Sequence, residues 1–145
     1  MLFKTSNDDD ISRLDTSKSP SILQKLNHLS TPVFLSGSQY FGNTNEDSDW
    51  DFYCGNDVNI GIFTTLGFEE EDIPTEALFG GIQKVLKYQD KDIEVHILFV
   101  GDLEKRHSVQ ELIANYFPNG YSCKKDNAKG IWDLATLCVD NMRSK

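Results

Sequence analysis

Apolar positions recur along the chain in two rhythms, one helical and one alternating. Ser19 and Pro20 read as an N-cap followed by proline at the first helical position, and Ile22, Leu23, Leu26 and Leu29 then recur at helical spacing. Thr31-Pro32 ends that helix. "VFLSG", Val33 to Gly37, predicts a short buried strand, and "DWDFYC", Asp49 to Cys54, predicts a second. Asp57 is positioned to cap a helix striped by Ile60, Phe63 and Leu66 and stopped at Gly67, before an acidic loop from Glu69 to Asp72 and Pro74. "FGGIQKVLKYQDKDIEVHILFVG" predicts two strands joined by a tight turn at Gln89 to Lys91. Ser108-x-x-Glu111 has the form of a capping box, opening a helix lined by Val109, Leu112, Ile113 and Tyr116. A last helix, 128–142, would bury Ile131, Leu134, Leu137 and Cys138. Residues 1–18 show no periodicity and predict a loose arm, leaving 19–145 as one domain with a short helical extension at its C-terminal end. The fold class this order predicts is α/β (α+β), a small mixed β-sheet flanked by helices.

Composition sharpens this picture in a few places. The 145 residues suffice for a single core, and 39% hydrophobic with 26% charged residues is a globular balance. A net charge of −9 argues against a long nucleic-acid duplex as the main ligand, because phosphate binding needs basic surface. No apolar run is long enough to cross a bilayer, so no membrane partner is expected. Cys54, Cys123 and Cys138 are widely spaced and form no C-x-x-C pair, which fits a cytoplasmic protein with reduced thiols.

Candidate chemistry concentrates on the second strand. Side chains two apart on a strand point the same way, so Asp49 and Asp51 share a face while Trp50 and Phe52 point into the core. Two carboxylates held a few ångströms apart are a natural seat for a hard divalent cation such as Mg²⁺. Gly37 and Ser38 follow the first strand, where exposed backbone N–H groups and a hydroxyl can hold phosphate oxygens, and Gly42 lets the chain turn back. A third carboxylate would complete a two-metal site. Glu94, inside a predicted strand, is the stronger candidate than Asp92, which lies near the turn; His96 shares their face and reads as a surface or hydrogen-bonded histidine. The alternating Asn43, Asn45, Asp47, Asp49 and Asp51 do not make an EF-hand, which also needs glycine at its sixth position and glutamate at its twelfth.

The segment "GSQYFG", Gly37 to Gly42, followed by "SDWDF", Ser48 to Phe52, resembles the nucleotidyltransferase superfamily that includes DNA polymerase beta, aminoglycoside nucleotidyltransferases and minimal nucleotidyltransferases. The resemblance is strongest from Val33 to Tyr53 and extends more loosely to about Val100. It implies a nucleotidyltransferase-like fold in which Asp49, Asp51 and Glu94 bind two Mg²⁺ (or Mn²⁺) ions. It also implies that Gly37 and Ser38, with Gly42 and Ser48 from the same motif, bind the nucleotide. Glu94 would help take the proton from the attacking hydroxyl, although the family more often has aspartate there. The implied reaction moves a nucleoside monophosphate from a nucleoside triphosphate to a hydroxyl acceptor and releases pyrophosphate. The acceptor stays open between a small molecule, a protein hydroxyl and an RNA end, and the short C-terminal region leaves room for a partner protein that supplies missing surface. The alternative is a non-catalytic nucleotide-binding or antitoxin-like regulatory module with the same fold.

Overall fold

A computed structural model describes residues 1–3, 13–37, 40, 49–73, 81–116 and 125–143. Six strands form one mixed sheet in the order β1-β2-β3-β6-β5-β4. They are β1 (Leu2–Phe3), β2 (Val33–Ser36), β3 (Trp50–Gly55), β4 (Glu69–Glu70), β5 (Ile82–Gln89) and β6 (Glu94–Val100). Helices α1 (Ser21–Asn27) and α2 (Gly61–Thr64) cover one face; α3 (Leu103–Tyr116) and α4 (Lys125–Arg143) lie on the other. No described helix is long and apolar enough to cross a membrane.

The two faces follow from strand alternation. Val33, Leu35, Phe52, Cys54, Val95, Ile97 and Phe99 point to the α1 side, where they meet Ile22, Leu23, Leu26 and Phe63 in the main core. Phe52, Phe63, Phe99 and Leu23 are fully buried there, and each such side chain stabilises the fold by roughly 1.5–3 kcal/mol. Phe34, Tyr53 and Val100 point the other way, toward Leu103 at the start of α3. β3 runs antiparallel to β2 and parallel to β6, so it is the central strand between them.

Several local expectations need correction. Part of the predicted loose arm is fixed: Leu2 pairs with Val33 in a parallel ladder and is wholly buried, because it fills the main core. Residues 13–16 are held as well, since Asn27 Nδ2 donates to the Leu14 carbonyl and to Thr16 Oγ1. The acidic segment is not all loop, because Glu69 and Glu70 pair with β5 and the Glu71 N–H donates to the Val85 carbonyl. Ser108 opens nothing: it lies inside α3, whose first turn is capped by Asp102, with the Lys105 N–H donating to Asp102 Oδ1 at 3.0 Å. At the head of α2 it is Asn59, not Asp57, whose side chain accepts from the Gly61 N–H. The last helix is turned relative to the predicted stripe. Trp132, Ala135 and Val139 are buried, whereas Leu134, Leu137 and Cys138 are exposed. A large indole with a cationic partner beneath it sets the phase of α4.

Candidate metal and phosphate site

The ladder registers bring one polar side chain from each of five strands into a row. Ser36 lies opposite Asp51, Asp51 opposite His96, His96 opposite Lys87, and Lys87 opposite Glu69. Paired residues point to the same face, so Asp51, His96 and Lys87 stand together on the α3 side of the sheet. The predicted sharing of a face by Asp49, Asp51 and Glu94 holds, and Trp50 stacks on Phe52 on the opposite face at 6.1 Å between ring centroids.

His96 is the centre of the group. Its Nδ1–H donates to Asp51 Oδ1 at 3.1 Å, and its Nε2 faces Glu71 Oε2 at 3.6 Å and Glu94 Oε2 at 3.7 Å. Burial alone would lower the pKa of this imidazole; the Asp51 hydrogen bond and the charges of Asp51, Glu71 and Glu94 outweigh it, so the net shift is upward. Lys87 Nζ lies 3.3 Å from Glu94 Oε1. Among the described residues, Asp49, Glu94 and His96 each offer one ligand atom within 4.8 Å of the others.

Asp49 and Glu94 behave as a pair. Burial, then the hydrogen bond to Glu94 and the Glu94 charge, push the Asp49 carboxyl up to about 6. Glu94 is shifted down, first by that same hydrogen bond. These opposite shifts describe one proton held between two carboxyl groups that repel when both are ionised. Above about pH 6 both carboxyls are ionised, and their repulsion is what a divalent cation at this spot would relieve. The donor set, carboxylates with one imidazole, fits such a cation; the imidazole suits Mn²⁺ better than Mg²⁺, which prefers all-oxygen shells.

Gly37 borders the group. It has φ +64°, and a Cβ built on it would collide with Asp51 Oδ2. A residue without a side chain is therefore required where β2 turns away beside the acidic strand. Ser38, Gly42 and Ser48, the other expected nucleotide contacts, lie outside the described residues.

Of the residues expected from sequence, the structure groups Asp49, Asp51, Glu94 and Gly37. Asp92 does not join them: it lies in the β5–β6 turn, where its N–H donates to Asp90 Oδ1. Of the two readings open for His96, surface or hydrogen-bonded, the structure shows the second, with Asp51 as its partner. Glu71 was missed entirely. Its signal was the acidic stretch itself, which becomes informative only once the segment is known to pair with β5. No protein-family model matches the chain, and no match was found among curated proteins or solved structures.

Proposed function

We propose that the protein is a divalent-cation-dependent nucleotidyltransferase that moves a nucleoside monophosphate from a nucleoside triphosphate to a hydroxyl acceptor. One observation carries the reading: ligand atoms of Asp49, immediately before β3, and of Glu94 and His96 on neighbouring β6 lie within 4.8 Å of one another, with Asp51 hydrogen-bonded to His96 and packed against Gly37. The resemblance of Gly37 to Gly42 and Ser48 to Phe52 to nucleotidyltransferase motifs supports it. Asp49, Asp51 and Glu94 would hold Mg²⁺ or Mn²⁺. Such ions, when bound, stabilise charge on the attacking and leaving oxygens of a phosphoryl transfer. The chain's own contribution is positional. Gly37 lets backbone approach the phosphates, His96 fixes the Asp51 carboxylate, and Glu94 accepts the proton of the attacking hydroxyl. The test is incubation with labelled ATP, GTP, CTP and UTP in Mg²⁺ or Mn²⁺, scoring pyrophosphate release and label transfer to candidate hydroxyl acceptors. Activity that disappears in Asp49→Asn and Asp51→Asn is the expected result.

A second reading has its own supporting observation. Lys87 at 3.3 Å from Glu94 and His96 at 3.1 Å from Asp51 supply internal positive partners for the acids. That arrangement also suits a regulatory module that binds nucleotide without turning it over. Nucleotide binding with no pyrophosphate release on any acceptor would favour it.

A further inference from the structure

The end of β2 is gripped from behind by α3. Ser36 is 1% exposed and Arg106 4% exposed. The Arg106 guanidinium donates to Ser36 Oγ at 3.0 Å, and Ser36 Oγ–H donates to Gln110 Oε1 at 2.7 Å. Gln110 Nε2 in turn donates to the Leu35 carbonyl at 2.9 Å. The guanidinium is also stacked over the Trp132 ring, 3.9 Å from its centroid, with the Tyr53 ring centroid 5.2 Å away. Two side chains, Arg106 and Gln110, thus converge on Leu35 and Ser36, the two residues immediately before Gly37.

Burying a guanidinium is expensive, and an apolar side chain of similar volume would fill the space between two aromatic rings at lower cost. What an apolar residue could not supply is direction. A guanidinium donates along fixed vectors, and the rings clamp its plane. Its recipient is one residue from the glycine turn and directly opposite Asp51 in the ladder. We infer that Arg106 is a positioning residue for the phosphate-binding turn, acting through Ser36 to fix the path of the backbone into Gly37. The inference rests on the nucleotidyltransferase reading and deepens it: the grip would serve the triphosphate more than the cation.

The test compares Ser36→Ala, Arg106→Met and Arg106→Lys with the unmodified protein. Binding of the β,γ-imido analogues of the four nucleoside triphosphates is measured in Mn²⁺, alongside Mn²⁺ binding alone and thermal melting. Ser36→Ala takes a hydrogen-bond partner from the buried Arg106 and Gln110 side chains and should lower the melting temperature, so the deciding readout is the ratio of analogue to Mn²⁺ affinity. The variant should keep its Mn²⁺ affinity within about twofold and bind the analogue about tenfold more weakly, as for loss of a charge-assisted hydrogen bond. Arg106→Met should show the same split, with Arg106→Lys, which can still donate to Ser36, recovering part of the affinity. Analogue binding within twofold of normal in Ser36→Ala and Arg106→Met overturns the inference. So does a parallel loss of analogue and Mn²⁺ binding that tracks melting temperature, which would mean that Arg106 only holds the fold together. If the unmodified protein binds Mn²⁺ but none of the four analogues, the nucleotidyltransferase reading itself fails, and the role assigned to Arg106 fails with it.

Discussion

Gly37 and Asp51 are packed so closely that the glycine has no room for a methyl group: a Cβ would run into the carboxylate. The positive φ of Gly37 adds a backbone penalty for any other residue. Gly37→Ala should therefore destabilise the protein by about 1–3 kcal/mol and displace Asp51. The loss should be visibly smaller in an Asp51→Ala background, because one clash cannot be counted twice. Thermal melting of the four proteins checks this; equal losses in both backgrounds would show that Asp51 is not the obstacle.

The raised Asp49 carboxyl predicts a pH dependence with a definite sign. Its folded value of about 6 lies above the ordinary 3.8. Its contribution to stability is thus fully present below about 3.8 and is lost as pH rises through about 6. In metal-free buffer Asp49→Asn should equal or exceed the unmodified protein in stability at pH 7, and the difference should shrink toward pH 4. Proton and cation compete for the same oxygens, so Mn²⁺ affinity should fall as pH drops below about 6. Melting and Mn²⁺ titration across this range are the measurements. A stability loss in Asp49→Asn at pH 7 would contradict the description of the Asp49–Glu94 pair.

Lys87 and Glu94 form a half-exposed ion pair, so removing the amino group costs little stability: Lys87→Met should melt within about 0.5 kcal/mol of the unmodified protein. Its effect should appear in cation binding instead. Freed of its internal partner, Glu94 should bind Mn²⁺ several-fold more tightly. Weaker Mn²⁺ binding in this variant would mean that Lys87 orients Glu94 rather than competing for it.

On α4 the prediction concerns the phase of the helix. Trp132→Ala removes a buried ring that stacks on Arg106 and should cost about 3–5 kcal/mol. Leu137→Ser, on the exposed face, should change stability by no more than about 0.5 kcal/mol. The reverse ranking would restore the stripe expected from periodicity alone. Chemical denaturation of both variants decides.

That contrast also marks what could be read from the chain. The strands were legible because alternation has a period of two and leaves little choice: once Phe52 is buried, Asp51 is not on its side. The shared face of Asp49 and Asp51 on one strand, and that of Glu94 and His96 on another, followed from the same rule. Helix α4 has apolar residues on more than one side, so periodicity admitted two stripes, and only the docking of Trp132 on Arg106 chose between them. The Ser108 pattern satisfied a local rule while Asp102, six residues earlier, already capped the helix. Glu71, and the pairing of His96 with Asp51, depend on the ladder register between distant segments, which no local window contains. Arg106 was equally hidden, since a buried arginine and a solvated one look alike in sequence.

The sheet gathers its candidate chemistry on one side and its larger core on the other. Phe52, Val95 and Ile97 anchor the domain on one side, while Asp51, Glu94 and His96, on the same strands, face the other, beside a smaller core of Phe34, Tyr53 and Val100. The scaffold can therefore outlive its chemistry: a descendant chain could discard every acidic side chain of the row and still fold, free to be recruited for recognition alone.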